Sequence, residues 1–262
     1  VKKCDYFITS TPYLAKMAEE LGKQAYVIPN GLNHHQEKVA DRVLASEDRN
    51  QDEWIRIGYL SGTNTHDKDF LIVKDALVRI LSEHSNVKLS IRGILTLPDE
   101  FEQFKDQVEF LPFVPFDKLL EKTDILDIMI APLEVNPYTE AKSELKYFEP
   151  ALLEKPIVAS PTGVFLKAIT DGENGFIAAS DEEWYEKLDL LVIDGKKRLE
   201  ELIAVKALPE NRQTEAVLLL RRIEDRLEMW RDLKDGKLDA EKVRELIAND
   251  DRLVRDLRAR KI

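Results

Sequence analysis

Two lysines and a glutamate are spaced so that they could bind an anionic ligand together. Lys142, Lys146 and Glu149 differ by four and three positions, which places them close to one face of a helix that begins near Ser143. Lysines near a helix N-terminus oppose the helix dipole, so their placement favours an anionic ligand over a purely structural role. Glu149 lies among apolar residues, where a carboxylate needs hydrogen-bond donors, either a lysine or the hydroxyl groups of a ligand. The alternative is an ion pair between Lys146 and Glu149 on the helix surface.

A second group of candidates, Gly62, His66 and Lys68, lies in a polar loop that connects a predicted strand to a helix. Free backbone N–H groups and the dipole at the start of that helix suit a phosphate, and Lys68 adds a positive charge. The alternative is an ordinary loop in which Asp67 or Asp69 caps the helix. The loop has neither a Walker sequence nor a G-x-G-x-x-G fingerprint.

Arg92 and Gly93 stand where another predicted strand ends. A glycine there lets a flat ligand approach the backbone closely, and the alternative is a plain turn glycine. In an open parallel sheet, ligands bind at the carboxyl ends of the strands, so a site is expected in the loops that follow them. The candidate binding positions are Gly62, His66, Lys68, Arg92, Gly93, Lys142, Ser143, Lys146 and Glu149.

Short apolar runs alternate with helical patterns along most of the chain and predict the elements that would position these residues. Because the strands are apolar on both faces, they indicate a parallel sheet covered by helices on both sides. We therefore predict an α/β fold with a doubly wound, Rossmann-like parallel sheet. Strands are predicted at 6–10, 25–28, 55–60, 87–92, 108–111, 125–131, 156–160 and 175–178, and helices at 12–21, 70–82, 99–105, 116–122, 143–153, 164–170 and 182–191.

Composition restricts the classes of partner. The chain of 262 residues has a formal net charge of −11, which argues against a nucleic-acid partner, whose phosphates require lysine and arginine. Cys4 is the single cysteine, so no internal disulfide can form. We expect no metal site, because the four histidines show no metal-ligand spacing. No apolar run approaches the roughly 20 residues of a membrane-spanning helix, and there is no signal peptide, so we expect a cytoplasmic protein.

Several motifs resemble those of one enzyme family. The sequence from Glu149 to Ser160, EPALLEKPIVAS, resembles the segment E-x-x-A-x-G-x-P-V-V-A-S of glycosyltransferase family 4 and its relatives with the GT-B fold. The KYFE sequence that begins at Lys146 resembles the K-x-x-E that opens this segment in many enzymes of bacterial surface-polysaccharide synthesis. GTNTHDKDF upstream resembles G-S-x-x-H-x-x-D-F, and ITDGENGFI downstream resembles I-x-D-G-x-N-G-x-L. DYFITS and VIPNG near the N-terminus resemble the end of the preceding domain.

The resemblance implies two Rossmann-like domains that face a cleft, of which the second binds a nucleotide-sugar donor and the first most of the acceptor. It implies that Glu149 binds the nucleotide ribose and that Lys68 and Lys146 bind the diphosphate. Transfer would retain the anomeric configuration and need neither metal nor cofactor. The acceptor would be a saccharide or a lipid-linked saccharide, which leaves room for peripheral membrane contact. The intact protein would then be a glycosyltransferase, here of a hexosyl or related group.

The family pattern also exposes a departure. Its spacing places the first glutamate of the paired motif at position 141, where this chain has Ala141, so that Glu140 and Glu144 become the candidates for the sugar-contacting carboxylate. The resemblance further implies that residues 1–33 are the last part of the first domain, 34–53 a polar linker, 54–208 the donor-binding domain and 209–262 a C-terminal helical extension. We therefore expect this chain alone to bind donor weakly without transferring sugar.

Two alternative functions remain open at the level of sequence. A nucleotide-sugar epimerase of the same fold would bind a similar donor, so fold does not separate it from a transferase. The other alternative is a non-catalytic interaction module that uses the C-terminal helices, where Leu220, Ile223, Leu227 and Trp230 have the spacing of one apolar helix face.

Overall fold

Strands and helices alternate through the part of the chain that this computed structural model describes, namely Cys4 and residues 6–46, 53–62 and 67–193. The strands are β1 (Tyr6–Thr9), β2 (Gln24–Val27), β3 (Ile55–Ser61), β4 (Val87–Gly93), β5 (Val108–Leu111), β6 (Ile128–Ala131), β7 (Ile157–Ala159) and β8 (Phe176–Ile177). The α-helices are α1 (Pro12–Glu20), α2 (His34–Leu44), α3 (Asp67–Leu71), α4 (Lys74–Glu83), α5 (Phe116–Thr123), α6 (Pro137–Glu140), α7 (Leu145–Ala151), α8 (Gly163–Ala168) and α9 (Asp181–Ile193). A 3₁₀ helix occupies Asp99–Phe104.

Six parallel strands form the central sheet in the order β5-β4-β3-β6-β7-β8. The chain first winds outward from β3 to β4 and β5, then returns to β6 on the other side of β3 and winds outward again to β8. The order therefore reverses between β3 and β6. In open α/β sheets the ligand crevice lies at such a switch point, outside the carboxyl ends of the strands.

Apolar side chains cover both faces of this sheet, as the predicted doubly wound fold requires. On one face, Ile57 and Tyr59 of β3 belong to a buried cluster with residues of α4 and α9, including the fully buried Trp184. On the other face, Met129 of β6 packs with residues of α7 and α8, including the fully buried Phe165. The predicted Rossmann-like α/β architecture is confirmed.

The N-terminal strands form a separate two-stranded parallel sheet, with β1 paired to β2 from Tyr6 opposite Gln24 to Thr9 opposite Val27. Helix α1 connects them, and Thr11 caps it, since the Thr11 hydroxyl accepts a hydrogen bond from the backbone N–H of Leu14. Strand, helix and strand thus follow the order predicted for the first 33 residues.

The segment predicted as a linker is helical in its first half. Helix α2 begins with a capping box at Asn33 and buries Val39, Ala40 and Val43 against Leu120 and Leu153. These three apolar residues are too few to produce a visible helical period in a polar stretch, so the helix was missed. Residues 47–52 of the predicted linker lie outside the described residues.

Two further elements differ from the prediction. The helix predicted over 70–82 is interrupted at Ile72 and Val73, which separate α3 from α4, because the N–H groups of both bond three residues back instead of four. The extra helix α6 forms where Asn136 caps the N–H groups of Tyr138 and Thr139. The predicted C-terminal helical extension lies outside the described residues. Among those described, no helix has the length and apolar character needed to cross a membrane.

Candidate functional site

Lys146 lies at the switch point of the sheet. It stands in the first turn of α7, and its ammonium donates a hydrogen bond to the carbonyl oxygen of Leu60, 3.1 Å away at the carboxyl end of β3. The same nitrogen lies 5.3 Å from the centre of the Tyr59 ring. Burial, and then the charge of Lys142, lower the pKa of Lys146 to about 8. A cation is therefore held where a ligand of a doubly wound sheet is expected.

Glu149 faces a cavity one turn further along α7. The cavity has a volume of about 150 Å³ and lies between α7, α5 and α2, beside Leu60. Phe116 of α5 and Gln36 of α2 contribute to its walls. Burial raises the pKa of Glu149, and the nearby positive charge of Lys146 opposes this shift. A half-buried carboxylate at the wall of an otherwise largely apolar cavity suits hydrogen bonding to ligand hydroxyl groups.

Lys142 approaches the same edge of the sheet from the loop after β6. Its ammonium forms an ion pair with Asp69 of α3 at 3.5 Å and lies 5.1 Å from the centre of the Tyr138 ring. The other carboxylate oxygen of Asp69 accepts a hydrogen bond from the backbone N–H of Glu134, at 2.9 Å. The structure thus brings Lys142, Lys146 and Glu149 to one side of the switch point. The predicted placement of all three on one helix face is wrong for Lys142, because α7 begins only at Leu145 and Lys142 lies in the loop before it.

Ser143 connects this loop to the N-terminal part of the chain. Its hydroxyl accepts a hydrogen bond from the side-chain amide of Asn30, at 2.8 Å, and the Thr11 hydroxyl donates to the carbonyl oxygen of Ala141 at 3.4 Å. Ser143 is therefore a neighbour of Lys142 in a loop that contacts the turn after β2. No sequence signal connected Asn30 with Ser143, because 113 positions separate them.

Gly62 and Lys68 lie on either side of a stretch that is outside the described residues, which contains His66. Both Gly62 and Lys68 are exposed at the end of β3 and the start of α3. A Cβ atom added to Gly62 would have no described atom within 4 Å, so the backbone here is open to a ligand. Gly62 and Lys68 therefore keep an accessible position beside the switch point.

Arg92 and Gly93 have structural reasons for their identities. The Arg92 guanidinium donates to the carbonyl oxygens of Pro112 and Lys122, at 2.6 and 2.9 Å, and its burial lowers its pKa. Gly93 has a φ of +118°, and a Cβ atom there would lie 1.6 Å from the carbonyl oxygen of Ser61. Arg92 thus joins β4 to the segment around α5, and Gly93 allows β4 to approach β3. Their part in ligand binding stays a prediction.

The structure also locates the carboxylates considered for the first motif position. Ala141 ends α6, and Glu140 at the end of that helix accepts hydrogen bonds from the backbone N–H of Gly163, with N–O distances of 3.1 and 3.3 Å. Glu144 directly precedes α7. Glu140 therefore joins the loop after β6 to the start of α8.

One histidine does lie beside acidic groups, although its spacing in the sequence gave no sign of it. Glu83, His84 and Asp189 have ligand atoms within 4.8 Å of one another. They lie at the end of α4, just before β4 begins, and not at the carboxyl ends of the strands where the switch point is. Both oxygens of Glu83 are already engaged, one by Arg79 and the other by Tyr185. The His84 ring bonds Asp189 at 2.7 Å. These contacts account for the cluster as a junction between α4 and α9.

A comparison with family models decides what kind of protein this is. The model described as Glycosyl transferases group 1 matches residues 55–194, just over half of the chain. The chain belongs to this family. In this group 1 glycosyl transferase, the matched region spans the whole central sheet, from the start of β3 to the end of α9. A search of curated protein sequences finds no match.

Solved glycosyltransferases share the fold. The structure of a TarM variant from S. aureus, in complex with Fondaparinux, alpha-GlcNAc-glycerol and UDP, has a TM-score of 0.61 and 16% identity over 83% of this chain. HepE of Anabaena, in complex with UDP and glucose, has a TM-score of 0.64 and 16% identity over 86% of this chain. WaaG, a glycosyltransferase involved in lipopolysaccharide biosynthesis, has a TM-score of 0.58 and 13% identity over 82% of this chain. At these identities the likeness shows the GT-B type of Rossmann-like domain and no more.

This chain spans only part of the length of each of these neighbours. It covers 43% of the TarM chain, 63% of the HepE chain and 62% of the WaaG chain. Family membership supports glycosyl transfer as the general activity. The donor, the acceptor and the stereochemistry of transfer are properties of a whole glycosyltransferase, of which this chain spans only a part of the neighbours' length.

Proposed function

We propose that the switch-point edge of this sheet binds the nucleoside diphosphate of a sugar donor, and that the protein transfers the sugar with retention of configuration. The observation that carries the proposal is the placement of Lys146, whose ammonium stands at the end of β3 one helical turn from Glu149. A cation and a carboxylate at this spacing match the two ends of such a ligand, its phosphates and its ribose hydroxyls.

The proposed chemistry is stabilisation of a leaving group. When the bond between sugar and diphosphate breaks, negative charge grows on the departing phosphate oxygen. Lys146 and Lys142 lie near that position before the reaction begins, so they require little reorganisation when the charge appears. Lys68 is exposed at the start of α3 and supplies a third cation from the other side of the switch point. The proposed reaction needs no metal ion, because the lysines supply the positive charge.

The proposed place of the nucleoside is the cavity beside Glu149. Its wall combines this carboxylate with apolar surface from Leu60, Phe116 and Leu120, which suits a ribose and a flat base. HepE and TarM are solved in complexes that contain UDP, which makes UDP the first nucleotide to test. WaaG, by its name, takes part in lipopolysaccharide biosynthesis, and a bacterial surface polysaccharide or glycoconjugate is the proposed product class.

We further propose that the chain by itself binds donor without transferring sugar. It spans 43 to 63% of the lengths of three solved neighbours, and transfer requires donor and acceptor to be aligned in one closed site. The proposed acceptor is a saccharide or a lipid-linked saccharide. The proposed location is the cytoplasm, with peripheral membrane contact through such an acceptor.

Isothermal titration of the 262-residue chain with UDP, GDP and dTDP and with their common sugar conjugates tests the proposal. We expect one saturable site for one nucleotide type, loss of binding in Lys146→Met, and retention in the control Lys167→Met, which alters an exposed lysine of α8. Absence of binding to every nucleotide would remove the basis of the proposal. Sugar transfer by this chain alone would contradict its second part.

A further inference from the structure

We propose that Asp69 is a positioning residue of the donor site, which fixes the loop that carries Lys142 and Ser143 and places a negative charge beside both site lysines. The inference rests on the proposed function and gives a role to Asp69, the aspartate of the GTNTHDKDF sequence, which the resemblance left without one. Its basis is the geometry around one buried carboxylate.

Asp69 holds two points of the loop after β6. One carboxylate oxygen accepts the backbone N–H of Glu134 at 2.9 Å, and the other pairs with the ammonium of Lys142 at 3.5 Å. Glu134 and Lys142 are eight positions apart, so a single side chain of α3 ties both ends of this segment to the switch point. The Asp69 side chain is only 8% exposed, and burial of a carboxylate is costly without such partners.

Hydrogen bonds within the segment between these two points hold its turns together. Asn136 caps α6 through the N–H groups of Tyr138 and Thr139. The Thr139 hydroxyl, buried beneath the segment, donates to the carbonyl oxygen of Glu134. Because these bonds link Glu134, Asn136 and Thr139, and Asp69 holds Glu134 and Lys142, we infer that Asp69 determines where Lys142 and the adjacent Ser143 stand relative to Lys146.

Asp69 also influences the charge of Lys146. Among the residues that the structure describes, the charged and titratable groups that face the Lys146 ammonium are Lys142, Asp69 and Glu149, together with the ring of Tyr59. Of these, Lys142 favours the neutral form of Lys146, whereas Asp69 and Glu149 favour the ammonium. Removal of the Asp69 charge therefore weakens the hold on Lys142 and makes Lys146 easier to deprotonate.

The test compares Asp69→Asn with Asp67→Asn in the full 262-residue chain. Asp67 belongs to the same helix, but its carboxylate accepts the backbone N–H of Thr96 instead. Affinities are measured for inorganic pyrophosphate at pH 7.5 and, from pH 7 to 9, for whichever of UDP, GDP and dTDP binds the wild-type chain most tightly. Thermal unfolding of each variant shows that it is folded.

For Asp69→Asn we expect roughly tenfold weaker binding of both probes, the size of one lost charge-assisted hydrogen bond. Its affinity should also begin to fall at a lower pH than that of wild type, since Lys146 has lost a favourable neighbour. Asp67→Asn should match wild type in both respects. A merely structural role would reduce affinity equally at every pH, and this result would overturn the inference.

Two further outcomes also decide the matter. If Asp69 only competed with phosphate for Lys142, Asp69→Asn would bind pyrophosphate more tightly, which would overturn the proposed role. Should Asp69→Asn fail to fold, the reciprocal variant Lys142→Met should lose affinity while the Asp69–Glu134 bond keeps the loop in place. Unchanged affinity there would refute the inference. A wild-type chain that binds neither pyrophosphate nor any nucleotide refutes the proposed function itself, which distinguishes the two failures.

Discussion

The ammonium nitrogen of Lys146 lies 3.1 Å from the carbonyl oxygen of Leu60, so that helix α7 places a positive charge at the carboxyl end of the central strand β3. The order of the sheet reverses between β3 and its neighbour β6, and in open α/β sheets the ligand crevice lies at such a point. Burial lowers the pKa of this lysine to about 8. Because this lysine is partly neutral near pH 8, binding of the proposed diphosphate beside it should change its protonation in a measurable way.

Binding of a nucleoside diphosphate should therefore be accompanied by proton uptake. The free lysine has a pKa of about 8, and a bound diphosphate raises it, so at pH 8 about half a proton should be taken up per ligand. The affinity should change little with pH below the free pKa and decrease as the pH rises above it. Titration calorimetry in two buffers with different ionisation enthalpies measures the uptake directly. Lys146→Arg, which keeps its charge throughout this range, should show none.

The substitution Lys146→Met should stabilise the fold while it abolishes binding. A lysine whose pKa is lowered by folding carries a penalty in its charged form, and removal of that charge should raise the free energy of unfolding by about 1–2 kcal/mol at pH 7. Between the folded pKa of about 8 and the ordinary value of 10.5, the unfolded wild-type chain binds more protons, so its stability should rise with pH in this window. Urea unfolding at pH 7 and pH 10 checks both points. Equal stability of variant and wild type at pH 7 would argue against a penalised charge.

The substitution Glu149→Gln should separate the nucleoside end of the site from its phosphate end. The carboxylate lines the cavity proposed for the ribose, so its loss should weaken binding of the preferred nucleoside diphosphate about tenfold. Inorganic pyrophosphate, which has no ribose, should bind nearly as it does to wild type at pH 7, below the pKa of about 8 of Lys146, whose charged form Glu149 also favours. The exposed Glu173→Gln is the control for a change of charge alone. Parallel titrations with the two ligands make the comparison, and equal weakening for both would place the ribose elsewhere.

Two glycines should respond to alanine in opposite ways. At Gly93, with a φ of +118°, the new Cβ would lie 1.6 Å from the Ser61 carbonyl oxygen, so Gly93→Ala should lower the free energy of unfolding by about 3 kcal/mol or more. Gly62→Ala meets no described atom within 4 Å and should leave stability within about 0.5 kcal/mol of wild type. If a ligand approaches the backbone at Gly62, only this variant should lose affinity while it remains fully folded. Thermal unfolding and titration of both variants distinguish the two roles.

The sequence predicted most of the sheet because its strands are short, mainly apolar runs in which Ile and Val recur. The start of β6 was placed too early, since Ile125 and Leu126 continue the apolar run but Leu126 belongs to a turn bonded to Thr123. Asp127 does not extend that run into the sheet, because its carboxylate accepts the N–H of Arg56. Local apolar character indicates that a strand is present and leaves its first residue undetermined.

The candidate site was predictable only where its residues share an element or a motif. Lys146 and Glu149 lie in one helix, so their spacing alone placed them together. The contacts of Asp69 and Asn30 were missed because their partners, Glu134, Lys142 and Ser143, are 65 to 113 positions away and no local pattern connects them. Contacts of this kind depend on how the strands are ordered, which a single sequence does not show.

A structure of this chain with a bound nucleoside diphosphate tests the central claim most directly. The account predicts phosphate oxygens within hydrogen-bonding distance of the Lys146 ammonium, and ribose hydroxyl groups bonded to the Glu149 carboxylate in the adjacent cavity. A nucleotide bound away from the carboxyl edge of β3 and β6, or one that leaves both Lys146 and Glu149 without contact, would contradict it.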